Sequence, residues 1–96
     1  MDSPMRKTQA LHARCPKIAP LYRLQWEEAQ QAHVLLFPEG MVKLNASAGE
    51  ILRRCDGIRT TAEIIAELET AFATTGLGPD VDAFLEHAVS RGWVEA

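Results

Sequence analysis

The chain is predicted to fold as an α+β domain, a three-stranded antiparallel sheet followed by a bundle of three helices. Three observations carry that expectation. "YRLQW" alternates apolar and polar residues, "AHVLLF" and "MVKL" flank a Pro-Glu-Gly break, and two Ser/Thr-x-x-Glu spacings then open helical stripes. Side chains alternate faces along a strand but recur about every 3.6 residues along a helix, so the change of period marks the change of element.

The first strand places Tyr22, Leu24 and Trp26 on one face, with Arg23 and Gln25 on the other. "EEAQQ" links it to a second strand whose run Val34–Phe37 is apolar on both faces, which raises the question of what covers each side. "PEG" turns the chain, with Pro38 presetting φ and Gly40 free to adopt a positive one. "MVKL" is the third strand.

Asn45 or Ser47 caps the first helix, and Ser47 with Glu50 has capping-box spacing. Ile51, Leu52 and Cys55 supply its apolar face, and Asp56-Gly57 ends it. Thr60 with Glu63 opens the second helix, whose stripe is Ile64, Ile65, Leu68 and Phe72. Asp80 is the expected cap of the third, with Val81, Phe84, Leu85, Ala88 and Val89 as its stripe. "WVEA" closes the chain as a short extended segment with Trp93 tucked inward. Three short helices beside a small sheet describe a winged-helix-like domain.

Ninety-six residues make one such domain. It is expected over residues 20–96, behind a flexible tail over residues 1–19 that holds Pro4 and Pro16 and has no periodicity. No apolar run is long enough for a membrane span, and Cys15 and Cys55 read as reduced thiols, so the expected location is cytoplasmic, with no membrane partner. His12, His33 and His87 are isolated, so no metal site is expected.

Residues 1–23 set five basic side chains against Asp2, a net of +4, while residues 24–96 set five against twelve acids, a net of −7. A body of that sign repels a phosphate backbone, and the second helix shows Glu63, Glu67 and Glu69 where a base-reading helix needs cations and amides. A winged-helix DNA-binding regulator is therefore the alternative reading, and no nucleic acid is expected. No nucleotide loop, nucleophile elbow or catalytic constellation is present, so no catalytic residue is assigned. Arg54 and Arg59 are read as solvated charges, with docking to a partner as the competing role. The third strand is a sheet edge, and an edge with apolar neighbours can accept an extended peptide, its own tail or a second copy.

The stretches "LLFPEGMVKLN", "SAGEIL", "CDGIRT" and "DVDAFLEHAVSRGWV" resemble the PqqD family, which takes part in making the cofactor pyrroloquinoline quinone, over about Pro20 to Trp93. The resemblance implies a peptide-recognition element that is not itself an enzyme and carries no cofactor. It would bind the precursor peptide PqqA and present it to PqqE, a radical S-adenosylmethionine enzyme that cross-links a Glu and a Tyr of that peptide. The leader would add as a strand along Met41, Val42, Lys43 and Leu44, beside a helix wall of Val81, Phe84, Leu85, Ala88 and Arg91. Val42 and Leu44 are expected to frame the groove floor, with Phe84 and Leu85 as anchors. The same edge could pair two copies, so monomer and homodimer both stay open.

Overall fold

A computed structural model describes residues 11–96. Strands β1 (Lys17–Ile18), β2 (Arg23–Glu27), β3 (Ala32–Phe37) and β4 (Gly40–Lys43) are followed by helices α1 (Ala46–Leu52), α2 (Thr61–Ala71) and α3 (Gly78–Ser90), then by β5 (Val94–Glu95). The main sheet is antiparallel in the order β2-β3-β4, and β1 pairs with β5 in a second, two-stranded ladder. The α+β build of three strands and then three helices is the one expected; β5 falls in the closing segment expected to be extended, with Trp93 buried, and β1 is additional.

Registry explains the doubly apolar middle strand. Leu35 stands between Leu24 and Val42, whereas Val34 stands between Gln25 and Lys43. The Leu35 face packs on the helices. Leu35 joins Leu44, Ile51, Leu52, Ile64, Leu68, Val81, Leu85, Ala88 and Trp93 in one core, with Tyr22, Leu24 and Val42 against its margin. Val34, on the opposite face, is also fully buried. The strand is thus apolar on both faces because both of its central side chains are out of water.

His33, the second residue of β3, lies on the core side and there meets α1. A Cβ built on Gly49 would lie 2.6 Å from His33 Nδ1, so the helix can approach only because this residue has none. The Trp26 ring meets the His33 ring edge-on, with centroids 5.0 Å apart. His33 is therefore a packing residue at the sheet–helix junction.

One open choice is resolved and three local expectations are corrected. Asn45, not Ser47, caps α1: its side chain accepts the Ala48 N–H at 2.8 Å. The ladder still holds the chain extended at Leu44, so the turn into helix falls one residue later, at Asn45. α3 starts at Gly78 without a side-chain cap, and Asp80 lies within its first turn. The free Leu77 N–H is satisfied instead by Glu69 of α2, at 3.0 Å. Phe72 follows the last turn of α2 and is exposed. Gly40 is the first residue of β4 and pairs with Phe37, so Pro38 and Glu39 alone form the turn. The Thr60–Glu63 capping box forms as expected.

The tail expected over residues 1–19 lies outside the described residues up to residue 10. Beyond that the chain is held to the domain, against the expected boundary at Pro20. Arg14 O accepts Thr61 N–H, Pro16 O accepts Gly57 N–H, and the N–H groups of Ile18 and Ala19 bond Cys55 O and Trp93 O. Pro16 is fully buried. These are contacts between residues roughly forty or more positions apart, which no local periodicity announces.

Candidate functional site

The geometry of the β4 edge follows from one bond. Leu44 donates its N–H to His33 O at 3.0 Å. In an antiparallel pair, hydrogen-bonded positions alternate with positions whose N–H and C=O turn away. Leu44, Val42 and Gly40 therefore bond inward to β3, consistent with the registry Leu35↔Val42 and Phe37↔Gly40. Met41 and Lys43 turn their N–H and C=O groups to the open side. Among the described residues β4 has no second neighbour, so these are unpaired strand groups at a sheet edge.

The side chains along β4 divide between the two faces. Val42 is half-buried on the core side, and Leu44 is buried in the core. Met41 and Lys43 are exposed on the Val34 side. On α3, Val81, Leu85 and Ala88 point into the core, while Phe84 is half-buried at its margin. Arg91 is exposed, its guanidinium 5.9 Å from the centre of the Trp93 ring. The positions named from the resemblance thus fall into three groups. Leu44, Val81, Leu85 and Ala88 are buried in the core, Val42 and Phe84 are half-buried against it, and Met41, Lys43 and Arg91 are exposed.

Arg54 and Arg59 are committed rather than free. Arg54 pairs with Glu50 at 2.9 Å and Glu67 at 3.2 Å, and Arg59 pairs with Asp56 at 2.9 Å and Glu67 at 2.8 Å. Together they tie α1, the turn after it and α2 into one unit. The Arg54 guanidinium holds the Glu50 carboxyl below its ordinary range. Asp56 is lowered chiefly by the Arg59 and Ile58 N–H groups, and Glu63 by the Thr60 N–H and hydroxyl. Gly57, at φ 77°, supplies the left-handed residue this turn requires. Burial pushes the Cys55 thiol up to about 12. Cys55 donates to Ile51 O at 3.3 Å, and Cys15, at 3.4 Å from Ile58 O, is likewise unpaired in a disulfide.

A feature the sequence did not announce is a cavity of about 420 Å³ bounded by Leu11, Arg14, Pro16, Leu85, Val89 and Val94. It contains no β4 residue. At its margin His12 Nε2 lies 2.9 and 3.0 Å from the two Asp82 oxygens. One wall, Leu11, Arg14 and Pro16, comes from the segment read as a tail and meets α3 and β5, which is why sequence periodicity could not assemble it. Among the described residues no His, Cys, Asp or Glu cluster could hold a metal ion, and no helix is long and apolar enough to cross a membrane.

Comparison with known proteins gives a consistent result. Residues 32–94 match the family described as coenzyme PQQ synthesis protein D (PqqD). The chain is 46% identical over 78 residues to a PqqA binding protein of Methylococcus capsulatus, covering 81% of this chain and 84% of that one. It is 51% identical over 81 residues to a PqqA binding protein of Azotobacter vinelandii, covering 83% and 88%. The fold is similar to the solution structure of the PqqD part of Methylobacterium extorquens PqqCD, described as a functional, stand-alone recognition element for ribosomally synthesized, post-translationally modified peptides. The TM-score is 0.72 at 25% identity, with 84% of this chain and 88% of the other covered.

Proposed function

The chain belongs to the PqqD family, and from that premise we propose that it binds the precursor peptide PqqA in pyrroloquinoline quinone biosynthesis. The peptide adds as a fourth strand to β4 and is presented to the radical S-adenosylmethionine enzyme PqqE. The protein acts as an adaptor and performs no chemistry of its own. The observation that carries the strand-addition reading is the outward set of Met41 and Lys43 backbone groups on an edge strand whose Val42 side chain is only half-buried.

Magnitudes assign the parts. Each main-chain hydrogen bond contributes about 1 kcal/mol net, while ordering each peptide residue costs roughly 1–2 kcal/mol. Backbone pairing therefore sets register without supplying affinity. A micromolar complex needs about 8 kcal/mol, and apolar burial at about 25 cal/mol per Å² must provide it. Val42 and Phe84, half-buried against the core that holds Leu44, Val81, Leu85 and Ala88, are the apolar surface offered to the peptide in this reading. A DNA-binding role gains nothing from the structure: Glu63 completes the capping box of α2, Glu67 pairs with two arginines, and Asp80, Asp82 and Glu86 lie along α3.

The test is a titration of isotope-labelled protein with PqqA peptide, following backbone amides. The Met41 and Lys43 amides are expected to shift most on β4, together with Phe84 on α3. Saturable shifts confined to other surfaces would remove strand addition and keep peptide binding. Presentation is tested separately, by the rate at which PqqE cross-links PqqA with and without the protein; an unchanged rate at saturating protein would refute it.

A further inference from the structure

We propose that the docked peptide carries an acidic side chain directly opposite Lys43, with an apolar side chain two residues away opposite Met41. This inference rests on strand addition at β4 and specifies what that edge selects. An added strand continues the pleat, so its side chains alternate between the two faces of the sheet. The residue opposite Val42 turns toward the core side, where Val42 lies. The residues opposite Met41 and Lys43 turn to the other face, beside those two side chains.

On that face Lys43 is the only charged residue of β4, and it is exposed. Its neighbour on β3 is Val34, fully buried and without charge. Lys43 makes no ion pair among the described residues, whereas Arg53, Arg54 and Arg59 all do. A carboxylate placed opposite it on an added strand has its Cβ about 5 Å from that of Lys43, close enough for an attractive cross-strand pair, and a cation there is repelled. Met41, 56% exposed, offers an apolar neighbour and no partner for charge. The segment Gly40–Lys43 contains no acidic residue, so a second copy brings a counter-charge only in the one antiparallel register that carries the turn residue Glu39 opposite Lys43. The occupant that fits is an extended peptide whose sequence reads acid, apolar, apolar along β4, or the reverse if the strand runs the other way.

A charge exchange tests this. PqqA affinity is measured for the parent protein, Lys43→Met and Lys43→Glu, at low and high salt, against PqqA variants in which each acidic residue in turn is replaced by Lys. Lys43→Glu is expected to bind about tenfold more weakly at low salt, the loss shrinking as salt screens the pair. One acid-to-Lys peptide should be weak against the parent protein and regain affinity with Lys43→Glu; its position gives the register. Equal affinity of Lys43→Glu and the parent protein would overturn the pairing, as would an equal response of every acid-to-Lys peptide. If Met41 and Lys43 amides still shift in that case, only the pairing fails. If those amides never shift, strand addition fails and the pairing with it.

Discussion

The Leu44 N–H reaches the His33 carbonyl at 3.0 Å, and this single bond fixes which residues of β4 face inward and which face an incoming strand. Val42, at the centre of the edge, is turned inward; the donors on offer belong to Met41 and Lys43. Val42 is thus the wrong place for a proline meant to probe the edge.

A proline series separates the two roles. Lys43→Pro removes an outward N–H at an edge, where proline is tolerated, so the protein should stay folded and bind PqqA about tenfold more weakly. Val42→Pro removes an inward ladder bond and should lower stability by about 1–3 kcal/mol in urea titrations. Equal stability of the two variants would contradict the ladder phase.

Gly49→Ala sets two effects of opposite sign against each other. Alanine favours a helix over glycine by about 1 kcal/mol. Its Cβ would lie 2.6 Å from His33 Nδ1 and 3.1 Å from His33 Cβ, so the ring or the helix must shift. Overpacking of this kind costs about 1–3 kcal/mol, and a net loss of stability is expected, with His33→Ala in the same chain restoring much of it. A stabilised single variant would disprove the close approach.

Thr60→Ala should lower stability by about 1 kcal/mol, because it removes the acceptor for the Glu63 N–H, 3.1 Å from the Thr60 hydroxyl. Glu67→Gln should cost less than about 1 kcal/mol, although Glu67 bridges two arginines, since its side chain is 41% exposed. Thermal melts of both variants rank the cap above the ion-pair bridge.

Stability should fall at both ends of the pH scale. The Cys55 thiol has an ordinary value of 9.0 and is raised to about 12 in the folded state by burial. Above pH 9 the unfolded chain loses that proton while the folded one keeps it, so stability declines as pH rises through this window. Glu50, Asp56 and Glu63 are all lowered on folding, so their contribution is present above their ordinary values of 4.5, 3.8 and 4.5 and is lost as pH falls below them. Urea midpoints across pH check both slopes, and Cys55→Ala should flatten the alkaline one.

The main elements were legible in the sequence because each rests on contacts within a few residues. "YRLQW" and "AHVLLF" alternate or fill as strands do, "PEG" is a turn, and Thr60 with Glu63 writes its own cap. What the residues could not say is how distant segments meet. Lys17 and Ile18 find Glu95 and Val94 across the whole domain, Glu69 satisfies the start of α3 in place of a local cap, and Asn45 outranks Ser47 because β4 ends at a bond to His33. The site divides the same way. Sequence placed the edge at Met41–Leu44 and named an apolar helix beside it. Only the tertiary structure chose, among those side chains, which build the core and which remain open, and set the ladder phase that turns Met41 and Lys43 outward. Periodicity is a property of neighbours along the chain, whereas burial and hydrogen-bond phase are properties of the partner strand, and the partner is supplied by folding.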